Sequence, residues 1–340
     1  MRSGYNFPNM RKFIIILIIF LAAAFVYLSL GEIQSILQTL KQGNIWFVLL
    51  ALFFQAIWFY IAGSTYHSLY RILDMDDTVQ KMTLLSAAAN FINVIAPTAG
   101  MGGVAVFISN AKQNGQSTGK VTVVNMLFIF LDYIAFLCVL IVGLIILIRR
   151  NNLHASEITA SIIMFAVALG LGLMLYLGSR SAGALGNALA GMARFINRIV
   201  RPFIHREYLS EARAHEFATE MATDLQSLPE NYRSLTKPFF YALANKTLMM
   251  FILTASFLSF DVPFTAATII GGFSIAYLFF IVSPTPSGIG IVEGVMPLAL
   301  SSLNVPWSQA VIITLAYRGV TFWFPLGVGA LAFRSLNNDA

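Results

Sequence analysis

Six stretches of this chain stay apolar over the length a helix needs to cross a bilayer: Phe13–Leu30, Ile45–Gly63, Val121–Ile148, Ile158–Gly178, Pro238–Phe260 and Ser308–Phe333. The hydrocarbon region is about 30 Å thick and takes roughly 20 residues of α-helix to span. Inside it every backbone N–H and C=O must find a partner within the structure, which leaves helices and closed barrels. Runs this long and continuous select helices. Only 11% of the residues are charged and 58% are hydrophobic, whereas a soluble domain carries roughly 25% charged residues. The sequence predicts an all-α polytopic membrane protein, with one integral membrane domain over residues 1–340.

Two more apolar stretches are interrupted. The first runs from Lys81 through "NFINVIAPTAGMGGVAVF" to Phe107, and the second from Phe264 through "SPTPSGIGIVEG" to about Leu303. Proline removes a backbone donor and glycine weakens a helix, so each stretch reads as two short helical limbs around a break, at 96–103 and at 283–294. With them the chain has about eight hydrophobic segments. The N-terminal run follows Arg11 and Lys12 and resembles a signal peptide, but it is long for that role and is read as an uncleaved first span.

Loop charge orients the spans. Arg11 and Lys12 place the N-terminus in the cytoplasm, and so does the insert 179–237, in which Ser179–Lys237 carries eight Lys and Arg. Counting crossings, stretch 81–107 begins and ends inside. If Arg334 and the C-terminus are also inside, stretch 264–303 begins and ends outside. Arg149 and Arg150 fall outside, against the positive-inside rule. Each break is either a re-entrant hairpin or a tight pair of crossings. "APTAGMGG" and "SPTPSGIG" match in pattern, enter from opposite faces, and are each followed by a long span with one buried charge, Asp132 or Arg318. The expectation is an inverted-topology repeat, its cores at 81–148 and 264–333, of the kind common in secondary transporters.

In the insert, Leu185, Leu189, Met192, Ile196, Ile199 and Phe203 share one helical face, with Arg194, Arg198 and Arg201 opposite. That face meets either anionic headgroups or the protein's own surface. The net charge of +6 accordingly points to anionic lipid as a partner rather than nucleic acid. The single cysteine, Cys138, permits no internal disulfide.

Four ionisable residues fall near mid-membrane: Asp132, Lys246, Glu293 and Arg318. A charge at a helix centre costs roughly 2.5–3.5 kcal/mol, so four of them must be paired or wetted. One reading pairs Asp132 with Lys246 and Glu293 with Arg318 as structural neutralisers. The other is a polar central site in which Arg318 and Lys246 attract a phosphate while Asp132 and Glu293 meet an ammonium or a proton. Asn90, Asn93, Thr98, Asn125, Asn245, Ser283 and Thr285 would line that site. Gly100, Ser287, Gly288 and Gly290 would let a ligand approach the exposed amides where the second limb of each break begins, with Tyr317 beside Arg318. The four histidines show no metal-ligand spacing, and the spacing of Gly288, Gly290 and Gly294 lacks the preceding strand of a dinucleotide loop. No catalytic constellation, metal site or cofactor is expected.

The segments "NFINVIAPTAGMGG", "NGQSTGKVTVVNMLFIFLDYIAF", "SPTPSGIGIVEGVMPLAL" and "AVIITLAYRGVTFWFPLGVGAL" resemble the transmembrane region of bacterial lysylphosphatidylglycerol synthases and the related inner-membrane proteins of the UPF0104 group. The resemblance covers nearly the whole chain. It implies a flippase-type region standing without the cytosolic synthase domain that makes the aminoacyl ester. The expectation is a multi-pass protein of the inner (cytoplasmic) membrane that moves an anionic or aminoacylated phospholipid between leaflets by alternating access. Its partners would be the lipid and a separate cytosolic synthase or transferase. The alternatives are a membrane subunit of an aminoacyl-phospholipid synthase, or a carrier of a small polar solute. A lateral opening favours lipid over solute.

Overall fold

The computed structural model describes residues 34–95, 101–151, 153–204, 210–226, 232–283 and 285–338. Every regular element among them is helical. After a helical segment over 34–42, α1 spans Ile45–Ile72, opened by Asn44, whose side chain accepts the Trp46 N–H. The first interrupted stretch supplies α2 (Val79–Ile95) and α3 (Met101–Gln113). Ser117 caps α4, Thr118–Arg149, and α5 follows at Ala155–Arg180. The insert forms α6 (Ala182–Ile204) and α7 (Glu211–Gln226). The second half consists of α8 (Thr236–Ser259), α9 (Ala266–Val282), α10 (Ile291–Ser302), α11 (Trp307–Arg318) and α12 (Phe324–Asn338). A π-helical segment, Gly319–Trp323, joins α11 to α12.

Five of these helical runs are long and apolar enough to cross a membrane: 45–72, 118–149, 155–180, 233–259 and 307–338. They coincide with five of the six expected spans. The sixth, Phe13–Leu30, lies outside the described residues. The two interrupted stretches appear as shorter helices, as the proline and glycine punctuation requires. α2 and α3 have 17 and 13 residues, and α9 and α10 have 17 and 12. The long helix after each pair has 32 residues, counting α11 through α12 as one run. The order long, short, short, long thus occurs twice. The packing is reciprocal too. α1 lies along α8, α2 of the first half lies on α12 of the second, and α9 of the second lies on α4 of the first.

The core follows this exchange. One cluster gathers Phe136 and Val139 of α4 with Phe273, Leu278, Met296 and Ile313 from the second half. Another joins Tyr66 and Leu69 of α1 with Val124 and Leu127 of α4, and extends to Leu185, Met221 and Leu225 of the insert. The outward faces of α4 and α5 carry exposed Ile145, Ile148, Ile162, Phe165 and Leu169, as lipid-facing surfaces do.

The insert folds back on the ends of α4 and α5. α7 buries Ala218, Met221, Ala222 and Leu225, so one of its faces packs against the protein. Asp224 comes so close to Gly119, in the first turn of α4, that a Cβ there would overlap its carboxylate. Burial raises the Asp224 carboxyl above its usual range and outweighs the lowering by Lys120. α6 buries Leu185, Ala190 and Ala193 but exposes Met192 and Phe195. The face expected from the sequence is therefore divided between a protein contact and an open side.

The α2–α12 contact depends on a glycine. A Cβ at Gly329 would lie 2.5 Å from the Ala87 carbonyl oxygen and 2.8 Å from the Phe91 Cβ. Backbone cannot yield as a side-chain tip can, so Gly329→Leu is expected to push the helices apart. The cost is about 1–3 kcal/mol of overpacking, measurable as a lowered melting temperature of the detergent-solubilised protein.

Candidate functional site

The second break is built from its own side chains. α9 ends at Val282, and the Ser283 hydroxyl accepts the Thr285 N–H at 3.1 Å and meets the Thr285 hydroxyl at 2.7 Å. Thr285 donates its hydroxyl to the Ile289 carbonyl at 2.8 Å, while its own carbonyl accepts the Gly288 N–H at 3.1 Å. These bonds serve backbone groups that the interrupted helix leaves open, each of which would cost several kcal/mol if left unpaired in apolar surroundings. The turn needs left-handed backbone at three places: Ser287 at φ 50°, Gly288 at φ 70° and Gly290 at φ 78°. Two of the three are glycines, for which that region carries no Cβ penalty.

α10 starts immediately after the turn, and Glu293 lies in its first helical turn. One carboxylate oxygen, Oε2, accepts the Gly290 N–H at 2.7 Å. The other, Oε1, accepts Arg318 Nε from the end of α11. Arg318 also reaches the Ser287 carbonyl through Nη2 at 3.4 Å, and its guanidinium lies 4.4 Å from the centre of the Phe322 ring. The Arg318 side chain is 4% exposed and that of Glu293 16%. A single carboxylate thus neutralises both a buried guanidinium and the positive end of a helix. The space beside it is open: among the described residues a Cβ added at Gly290 or Gly294 would meet nothing within 4 Å.

The second charged group is a cycle of three. Lys246 of α8 donates to Asp132 Oδ1 of α4 at 2.6 Å and to the Tyr277 hydroxyl of α9. Tyr277 in turn donates to Asp132 Oδ2 at 3.2 Å. The ammonium also lies 4.1 Å from the centre of the Tyr277 ring. This cycle ties the first half of the chain to the second. Both charge pairings named from the sequence are therefore made, as two groups with no ion pair between them among the described residues.

The remaining candidates are dispersed. At the first break Asn93 Oδ1 accepts the Gly103 N–H at 2.6 Å, joining the end of α2 to the start of α3. A neutral amide there does for the second limb what Glu293 does at the other break. Asn90 is half-buried on α2. Thr98 and Gly100 lie outside the described residues. Asn125 accepts from the Tyr66 hydroxyl at 3.2 Å and donates to the Val121 carbonyl at 2.8 Å, which is a helix-to-helix use. Asn245 is buried, and its side-chain oxygen makes no hydrogen bond among the described residues. Tyr317 is buried in the core cluster that also takes in Val292 and Phe273. Among the described residues no group of three His, Cys, Asp or Glu could hold a metal ion. An apolar groove of about 490 Å³ opens between α1, α2 and α12, walled by Phe59, Leu84, Phe324 and Leu331, with Gln80 and Thr83 adding polar atoms.

Tyr277 and Phe322 were not among the residues singled out from the sequence. A tyrosine within "AYLFFIV" carries no signal that separates it from core. Only its position opposite Lys246 does so.

Long apolar spans, two interrupted limb pairs and two buried ion pairs define a polytopic membrane protein with a charged interior. The chain belongs to the family of the lysylphosphatidylglycerol synthase transmembrane region, which it matches over residues 13–329. It is similar over nearly its full length to two archaeal UPF0104 membrane proteins. The one from Methanocaldococcus jannaschii is 23% identical over 96% of this chain and 94% of its own, and the one from Pyrococcus horikoshii is 25% identical over 95% and 96%.

Proposed function

We propose that the protein is a lipid transporter that moves an anionic or aminoacylated phospholipid between leaflets by alternating access. The observation that carries this reading is the buried Arg318–Glu293 pair at the start of α10. An arginine at this depth costs several kcal/mol unless it serves a ligand or a counter-ion, and here it faces a helix N-terminus with open space beside it. The phosphate of the lipid docks against Arg318 and the first N–H groups of α10.

Two further features support the reading. The repeated order of limb lengths and the reciprocal packing suit an inverted repeat whose halves rock against each other. The groove between α1, α2 and α12 is apolar and open, which suits an acyl chain better than a small polar solute. The family's name supplies a lipid class, aminoacylated phosphatidylglycerol, and the proposal takes only the class from it.

The test is transport in proteoliposomes, following dithionite quenching of a headgroup-labelled anionic phospholipid. Wild-type protein is expected to expose the inner-leaflet label. Arg318→Ala should slow this by roughly tenfold or more, the equivalent of losing at least about 1.4 kcal/mol of anion binding. Protection of the label by the folded wild type, or wild-type rates in Arg318→Ala, would overturn the proposal.

A further inference from the structure

The proposed anion site is already held by an anion of the protein's own. Glu293 Oε1 takes Arg318 Nε, and Glu293 Oε2 takes the Gly290 N–H. These are the two positive features a phosphate would use: a guanidinium and the opening amide of a helix. Arg318 is nearly fully enclosed and its Nη2 leans on the Ser287 carbonyl. An incoming anion therefore has to replace Glu293. The open side at Gly290 and Gly294 gives it the way in.

Replacement raises a question of charge. Before it, Arg318 and Glu293 sum to zero. Once a singly charged phosphodiester takes Arg318, a carboxylate released inside a membrane-embedded hairpin leaves the site at minus one, which low-polarity surroundings penalise. Binding one proton restores zero. Among the described residues the groups around Glu293 offer no other compensation. α11 contributes Tyr317 and Arg318, and α9 contributes Tyr277, which already donates to Asp132. α2, which touches the 286–288 turn, has one titratable side chain, Lys81, tied to Asp77 at 3.2 Å. Lys246 of α8 is committed to Asp132.

We infer that Glu293 is a displaceable internal counter-ion, and that each phosphate-bearing anion bound at Arg318 brings one proton from water onto the released Glu293 carboxyl. The inference rests on the reading of Arg318 as the lipid-phosphate site, and it adds the co-substrate. Anion and proton load and unload together, so the occupied site crosses the membrane neutral.

Titration calorimetry on the purified full chain in detergent tests this, in two buffers of different ionisation enthalpy between pH 5.5 and 8. The probes are dihexanoyl phosphatidylglycerol and, in a parallel arm, dimethyl phosphate, a phosphodiester that stays singly charged across this range. Wild type is expected to take up about one proton per anion, with affinity rising up to roughly tenfold for each pH unit of acidification. Glu293→Gln keeps an acceptor for the Gly290 N–H. It should bind with no proton uptake and no pH dependence, at least as tightly as wild type at low pH. Uptake with the lipid alone assigns the site to the headgroup, and uptake with both assigns it to phosphate anions in general. Either result supports coupling. Anion binding without proton uptake in wild type, or with uptake persisting in Glu293→Gln, overturns the coupling and leaves the lipid-carrier reading standing. If wild type and Glu293→Gln both bind neither anion, the site itself is lost, and that reading with it.

Discussion

Lys246→Met is expected to lower the unfolding free energy by about 3–5 kcal/mol, because it leaves the Asp132 carboxylate without its cation inside the helix bundle. The side chains of Lys246 and Asp132 are only 2% and 20% exposed, so water replaces little of what is removed. Tyr277 can still donate to Oδ2, but a neutral hydroxyl does not balance a charge. The paired variant Lys246→Met with Asp132→Leu should regain most of the loss. Replacing both members of a buried ion pair by apolar groups is often neutral, whereas removing one is not. Unfolding of the two single variants and the double variant in mixed micelles gives the coupling energy directly. If Lys246→Met alone is as stable as wild type, the cycle does not hold α4 to α8 and α9.

The same cycle shows how far the sequence could be read. Hydropathy alone located five described spans, because roughly 20 apolar residues have few other uses. Proline and glycine marked the turn between α9 and α10, while residues 96–100 of the first interruption lie outside the described residues. The charge pairings were one of the two readings the sequence left open for its four buried charges, and Lys246 with Asp132 and Arg318 with Glu293 are the pairs formed. The third member, Tyr277, was not legible, since its role depends on which face of α9 meets α4 and α8. The hold of Glu293 on Gly290 was present in the spacing "GIVE", an acid three residues after a helix start, but the sequence does not say that the same carboxylate also meets Arg318. The π-helical segment also left a trace. Pro325 has no N–H to give the Thr321 carbonyl, and the ladder slips so that the Phe324 N–H reaches Gly319 instead. Met192 was grouped with Leu185, yet the first is exposed and the second buried. The helical face was legible, but the limit of α7 along it was not.

Gly288→Ala should be the most damaging small substitution at the second break. Gly288 has φ 70°, and an L-residue held in that region costs about 1–2 kcal/mol. The added methyl would also lie 2.7 Å from Val292 Cγ2 and 3.2 Å from the Phe280 Cα. Val292 belongs to the first turn of α10 and Phe280 to the last turn of α9, so the clash wedges the two limbs apart. Overpacking of this kind adds about 1–3 kcal/mol, and unfolding in micelles should register the sum. Ser287→Gly next to it should act in the opposite direction, because Ser287 already bears the strain of φ 50° and glycine relieves about 1 kcal/mol of it. The comparison separates strain from mere sensitivity of the loop. The turn also carries the Ser287 carbonyl and the Gly290 N–H that position Arg318 and Glu293. Gly288→Ala should therefore lose lipid transport even in the fraction that stays folded, whereas Ser287→Gly should retain it. If Gly288→Ala transports at the wild-type rate, the geometry of the turn is not part of the transport path.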